Sequence, residues 1–404
     1  MMPTSPLSLE NTEHLSEPIS WCEKRRLLTI DWTETIRYHC IVFVPTWDSG
    51  LKWWTELPDE IYHPDQFTEM DINLVAETDN TAVQQWQSTI PEEILAALRP
   101  FKSWSFSLLQ MAHQWREVYD LLTSNPLLVW LAKHYAVIRG LSHNAFRTLL
   151  NRKQHQILAA IGLTGTKSAV RTLRRIQLDS YMPTDFFLVK DLWKKPDLVA
   201  SLTHQQKIDR SFMRLIKQLP WIAGRPLAKT LDAIECPWQY EELIRLIADI
   251  RRMSDDRRQI TEQLANARSF AAVENLHNQL VELFNAGPGN YDILLDDDGQ
   301  PLPFPELPHP GTESIHPILT VQALKDEGKR MNHCVGSYAR RVQDGEYYVY
   351  HMESPQPLTV GIKMREGRII GCEQVKGIGN ARPEKLPEEI VHQWVRRILN
   401  RNTM

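Results

Sequence analysis

The chain has no uninterrupted apolar run of roughly eighteen residues, which excludes a conventional membrane-spanning helix. Its first residues, MMPTSPLSLE, lack a basic segment followed by an apolar stretch, so no secretory signal is expected. Cysteine is scarce: Cys22, Cys40, Cys236, Cys334 and Cys372 are scattered and odd in number. That pattern excludes a disulfide framework and points to free thiols in a reducing compartment, so a cytoplasmic location is expected. No C-x2-C or H-x3-H spacing occurs, so no zinc signature is present, and neither a P-loop nor a dinucleotide fingerprint is found. No repeat of fixed period is evident.

The most telling absence is one of charge. Between Leu121 and Leu178 there is no Asp or Glu, yet nine cations occur there: Lys133, Arg139, Arg147, Arg152, Lys153, Lys167, Arg171, Arg174 and Arg175. The whole chain carries a net charge of -4, so this basic block is local and suits a polyanion or an acidic neighbouring surface.

What is present divides the 404 residues, too many for one typical core, into segments. Residues 1–17 read as a flexible leader. Residues 18–90 are mixed, with LLTIDW and YHCIVFVP as short strands. Residues 91–286 read as a helical domain opened by PEEILAAL, with Pro91 and two acids in its first turn. Within it, Gln154–Leu163, a Thr-Gly-Thr turn and Lys167–Leu178 outline a basic helix-turn-helix-like hairpin over residues 154–178. Ala169, Val170, Leu173 and Ile176 are expected to face inward there. Lys167, Arg171, Arg174 and Arg175 are expected to face a nucleic acid, a solvated face or a protein partner. Tyr240–Phe284 has the charged–apolar spacing of surface helices. Residues 287–319 are rich in Pro and Gly and form an extended strip. Residues 320–404 read as a small α+β domain. A Thr320-capped helix comes first, then a second helix carrying Val335, Tyr338 and Val342 that ends at Gly345. A three-stranded antiparallel meander follows, and a helix from Pro387 closes the domain. The fold class expected is therefore α+β, with a mostly helical N-terminal and central body.

Ordered blocks in this last region carry a resemblance. They are PFPELPHPGT, IHPI, LKDEGKRMNHCVGSY, VQDGEYYVY and QVKGIGN. Together they resemble the PcfJ-like domain of bacteria and their mobile elements, over roughly residues 290–385. The family is named for a conjugative-plasmid protein thought to assist the DNA-processing complex at a transfer origin. The matching motif positions are Glu327, Gly328, His333, Cys334, Tyr338, Gly345, Gln374, Gly377 and Asn380. Glu306, Leu307 and His309 stand where the family has more prolines, which bears on the stiffness of the strip. The resemblance implies no established reaction. It implies partners of DNA or RNA and of the proteins of a DNA-processing complex; the residues themselves suggest no membrane and no cofactor.

The residues themselves leave three readings open. Asn332 as an N-cap would place Cys334 in a first helical turn, where the dipole lowers a thiol pKa. Cys334 as nucleophile then needs a base, and His333, its sequence neighbour, points elsewhere on a helix. His351 or His392 would serve instead, with Gln374 or Asn380 orienting the base or holding an oxyanion. The plainer reading makes Cys334 a small buried core residue. Cys334, His333, His351 and Cys372 are metal-ligand types without ligand spacing, so no metal site is expected. The QVKGIGN loop suits either a plain turn or a phosphate, with Lys376 and Arg382 adding charge. Tyr347, Tyr348 and Tyr350 suit a half-buried strand better than a base-stacking platform. The leading function is a PcfJ-like accessory protein of a bacterial mobile element, associated with nucleic acid. The alternatives are a cysteine-dependent hydrolase or transferase built on Cys334, and a non-catalytic interaction module.

Overall fold

The computed structural model describes residues 18–70, 72–231, 237–287 and 292–401; the leader expected over residues 1–17 and Cys236 lie outside them. The chain is α+β, dominated by helix, with two antiparallel sheets. It forms two compact units, residues 1–224 and 225–404.

In the first unit, β1 (Ile19–Cys22), β2 (Leu27–Asp31), β3 (Ile41–Pro45), β4 (Trp54–Glu56) and β5 (Ile61–Tyr62) pair in chain order as an antiparallel meander. The two strands legible in the sequence are β2 and β3, whose alternation buries Leu28, Ile30, Val42 and Val44. Short helices follow, and three of their tryptophans, Trp86, Trp130 and Trp193, are fully buried core. The basic hairpin is present as helices Gln154–Ala160 and Lys167–Leu173. Gly165 sits where the two come closest. A Cβ there would lie 2.6 Å from that of Ala159 and 2.8 Å from the His155 carbonyl oxygen, so only glycine fits. The four residues expected to face inward, Ala169, Val170, Leu173 and Ile176, are all buried.

The second unit is a sheet covered on both faces. Its strands are β6 (Ile315–Pro317), β7 (Tyr347–Met352), β8 (Leu358–Arg365) and β9 (Arg368–Lys376), in that order and antiparallel throughout. The expected three-stranded meander is thus extended by β6 at one edge. Glu366 and Gly367, both at positive φ, make the β8–β9 turn, matching the twist that a two-residue hairpin requires.

Strand alternation assigns the faces. Tyr348, Tyr350, Val360 and Ile362 share one side, where the Lys385–Arg401 helix buries Val391, Trp394, Val395 and Ile398; Tyr350 and Trp394 rings lie 4.9 Å apart. Tyr347, Thr359 and Gly361 share the other side. It meets the Val321–Met331 helix and the 3-10 turn Cys334–Tyr338, and Tyr347 stacks on Tyr338 with ring centroids 5.2 Å apart. Because both faces are covered, the first five residues of β8 are buried without alternation. All three tyrosines of β7 are buried, which makes them core rather than a base-stacking surface.

Two helices that the sequence groups with the helical body, Pro237–Met253 and Phe270–Ala286, pack in this second unit. Their apolar stripes explain it: Met253, Val281 and Phe284 belong to the same buried cluster as the sheet residues. The proline-rich strip is extended and anchored. Gln343 bonds the Leu294 N–H and the Leu294 and Leu302 carbonyls, and the Tyr350 hydroxyl donates to the His309 carbonyl at 2.8 Å.

Gly361 fixes how tightly the second face closes. A Cβ at this position would lie 1.5 Å from the Tyr347 hydroxyl oxygen, and that ring is held by Tyr338 on one side and by a 2.9 Å bond from Gln374. A Gly361→Ala change is therefore expected to cost about 1–3 kcal/mol or more through overpacking. Urea unfolding would read it as a lower midpoint at unchanged slope; an unchanged midpoint would mean that Tyr347 moves freely.

Candidate functional site

The site lies on the sheet face opposite the C-terminal helix and begins with the segment EGKRMNHCVGSY. Thr320 caps its first helix, its hydroxyl accepting from the Ala323 N–H as expected. That helix ends at Asn332, whose φ of 49° is left-handed. Asn332 is therefore a C-terminal residue and not the N-cap the sequence suggested, because a residue that tolerates positive φ stops a helix as readily as its side chain starts one. The next N-cap is His333, whose Nδ1 accepts from the Val335 N–H at 3.4 Å. What it opens is a five-residue 3-10 turn, Cys334–Tyr338, that runs straight into the helix Ala339–Gln343, so the second helix expected here is present with a 3-10 first half.

His333 starts a directed chain of hydrogen bonds. With Nδ1 accepting, its Nε2 donates to Thr359 Oγ1 at 2.7 Å, and Thr359 donates to Glu327 Oε1 at 2.5 Å. His351 Nδ1 donates to the same Glu327 oxygen at 2.8 Å, and Arg330 pairs with the other. Burial alone would push the Glu327 carboxyl up. The bonds from His351, Thr359 and Arg330 outweigh it and hold the carboxyl down at about 2. Burial pushes His333 down to about 4, so it is a neutral imidazole whose single N–H is committed to Thr359.

A second polar cluster lies beside it, around Asp249 of the Pro237–Met253 helix. Tyr338 donates to Asp249 Oδ1 at 2.7 Å, where Arg252 also pairs. The Cys334 thiol donates to Asp249 Oδ2 at 3.4 Å, and His277 Nε2 lies 3.8 Å from that oxygen. Asp249, His277 and Cys334 are all buried. Burial and the neighbouring carboxylate push the Cys334 thiol well above its usual range. The thiolate considered for Cys334 is thereby reversed in direction, and the plainer reading of a buried cysteine holds: burial and then the Asp249 carboxylate keep the proton on sulfur.

Four of the five catalytic candidates meet at one small pocket, lined by His333, Cys334, Val335, Thr359, Gly361, Gln374, Lys376 and Asn380. The fifth, His351, stands behind Glu327 and bonds it instead of Cys334. His392 is half-buried on the last helix, 3.9 Å from Glu388. Cys372 bonds weakly to the Gly361 carbonyl and is pushed up to about 12 by burial. His333, His351 and Cys372 form no ligand cluster with Cys334 among the described residues. At the pocket rim Gly379 and Asn380 both have φ of 63° within a 3-10 turn, and Lys376 is neutralised by Glu242 at 3.0 Å. That pairing weakens the phosphate reading of QVKGIGN.

Sequence reasoning missed Asp249, His277, Thr359 and Glu242. Two of them left a signal: Asp249 follows Leu246 by three positions, and His277 falls between Val273 and Val281, so each puts a polar side chain inside an apolar helical stripe.

In the first unit, three of the four nucleic-acid candidates, Lys167, Arg171 and Arg174, are exposed, although Arg174 also bonds Gln154 at 3.0 Å. Arg175 is turned inward and donates to the Thr203 and Gln205 carbonyls, so its role there is structural. Two other cations of the acid-free run find acids from elsewhere in the chain. Lys133 is buried with Glu69 as counter-charge and falls to about 8 by burial, and Arg147 pairs with Glu117.

A two-unit α+β protein with a pocket between a helical cap and an antiparallel sheet is the class this geometry defines. The family model for PcfJ-like protein matches residues 250–391, starting inside the helix that carries Asp249 and ending inside the last helix. The resemblance carried by the C-terminal motifs is thus borne out for that part of the chain. No curated protein and no solved structure matches the chain. No helix among the described residues is long and apolar enough to cross a membrane.

The neutral state of His333 has a pH signature. Its folded pKa lies below the unfolded value, so its contribution to stability is full above about pH 6.5 and is lost as pH falls towards about 4. A shift of this size corresponds to roughly 2–4 kcal/mol. Urea titrations from pH 7 to pH 4 should show that loss, and His333→Gln should reduce this limb, to which His134 and His143 also contribute, while leaving the Glu327 limb below about pH 4.5. A wild-type stability independent of pH over the upper window would contradict a buried neutral His333.

Proposed function

We propose that the chain is a nucleic-acid-associated accessory protein, acting with a DNA-processing complex as the PcfJ-like resemblance implies, and that it contacts the polyanion through the first unit. The observation that carries this reading is the stripe Lys167, Arg171 and Arg174. These residues are spaced i, i+4, i+7 and exposed, and among the described residues none of them forms a salt bridge. Arg152 and Lys153 add exposed charge at the start of the neighbouring helix. Cations free of acidic partners exchange their counterions for phosphates, which is the main source of sequence-independent affinity. The cysteine-nucleophile reading has less support: burial and the Asp249 carboxylate keep the proton on the Cys334 sulfur, and the two bases named for it, His351 and His392, sit against Glu327 and Glu388 instead. The pocket of the second unit then serves recognition rather than covalent chemistry.

Fluorescence anisotropy of the full chain with labelled duplex, single-stranded DNA and RNA over a salt series tests the proposal. Affinity is expected to fall steeply with salt. Replacing Lys167, Arg171 and Arg174 together by Ala should lower the log–log slope on duplex DNA by up to about 3, at roughly 0.9 per phosphate contact. Arg175→Ala should reduce stability and leave the slope unchanged. No binding at low salt, or an unchanged slope in the triple variant, overturns the reading.

A further inference from the structure

We infer that Asp249, His277 and Cys334 form a binding site for a zinc-class divalent cation inside the second unit. The three ligand types, a carboxylate oxygen, an imidazole nitrogen and a sulfur, are those that zinc takes. Their atoms all lie within 4.8 Å of one another and all three residues are buried. The two separations from Asp249 Oδ2 are within about half an ångström of what a tetrahedral ion imposes. Bond lengths of about 2.3 Å to sulfur and 2.0 Å to nitrogen or oxygen place ligand atoms about 3.3–3.5 Å apart. Here Cys334 Sγ is 3.4 Å and His277 Nε2 is 3.8 Å from Asp249 Oδ2.

An independent observation comes from His277. It is 2% exposed, and its Nε2 has no hydrogen-bond partner although it points at the cluster. Its Nδ1 lies 3.3 Å from Asn278 Oδ1. An Nδ1–H donated to that oxygen fixes the tautomer and leaves the Nε2 lone pair facing Asp249 and Cys334, the arrangement by which outer partners orient ligating histidines. A buried acceptor without a donor is costly, and a cation at this point satisfies it. The other oxygen of Asp249 is already held by Tyr338 and Arg252, so the carboxylate presents Oδ2 to the ion in a fixed orientation.

Charge balances at the ligands. The dication displaces the thiol proton to solvent, and thiolate plus carboxylate neutralise it, while Arg252 stays on the far oxygen. Three protein ligands leave the fourth tetrahedral position to water or to whatever enters the pocket, whose lining includes Cys334. The ligands are separated by 28 and 57 positions in the chain, which is why no ligand spacing was visible.

The test uses the full chain, freed of metal with a chelator and then titrated with Co2+ and with Zn2+. One equivalent should bind, with the visible bands of tetrahedral cobalt, a near-ultraviolet thiolate-to-cobalt band, and competition by Zn2+. Cys334→Ser should abolish the thiolate band, and His277→Gln should weaken binding by more than about 10-fold. Cys372→Ser, which removes a half-buried thiol outside the cluster, should change neither. If either ligand variant fails to fold, the wild-type chain decides alone: bound Co2+ must show the thiolate band and must protect Cys334 from alkylation on unfolding-limited timescales. A folded wild-type chain that takes up no Co2+, or a thiolate band that survives in Cys334→Ser, overturns the proposal. Neither outcome bears on nucleic-acid binding by the first unit.

Discussion

The buried carboxylate of Asp249 is the interaction on which the second unit turns. It lies on a helix 85 residues upstream of Cys334 and receives the Cys334 thiol, the Tyr338 hydroxyl and the Arg252 guanidinium. A charge this deep is tolerated only when fully paired, so each of these groups is needed by the others. The consequence is positional: the 3-10 turn Cys334–Tyr338 is pinned between a helix and the sheet, and the pocket next to it inherits that rigidity. A second carboxylate, Glu327, does the same for the sheet side, drawing Thr359, His351 and Arg330 together and committing the His333 proton through Thr359.

Seen this way, the chemistry-bearing residues of HCVGSY are held in their neutral forms. His333 is neutral because burial disfavours its charged form; one nitrogen then accepts from a backbone N–H and the other donates to a hydroxyl. Cys334 is neutral because burial and a carboxylate keep its proton. Side chains held this way are poorly suited to nucleophilic attack. A cation at Asp249, His277 and Cys334 would alter that balance by displacing the thiol proton to solvent, which links the state of the pocket to metal supply.

Much of the second unit was legible in the chain because its local signals agree with its packing. β7 and β9 have the bounds expected from β-branched and aromatic alternation, and Thr320 caps where its hydroxyl is followed by an apolar stripe. The motif residues His333, Cys334, Gln374 and Asn380 were readable as a group, and they do meet at one pocket. What misled was chemistry with two meanings. Asn332 is favoured at helix starts and at left-handed stops alike, and only the φ of 49° distinguishes them. What stayed hidden was long-range: Asp249 and His277 look like ordinary members of amphipathic helices until the fold places them against Cys334. The basic run in the first unit has the same lesson in reverse. It contains no acid in sequence, yet Glu69 and Glu117 reach Lys133 and Arg147, and Arg175 is spent on carbonyls.

The central claim, that a carboxylate keeps Cys334 protonated and closed to attack, is tested most directly by alkylation of the metal-free folded chain across pH, with each cysteine quantified by peptide mass. The account predicts that the half-buried Cys22 and Cys40 react first, while Cys334 stays unmodified at pH values well above the range of a free thiol. Rapid modification of Cys334 near neutral pH, ahead of those two, would contradict it.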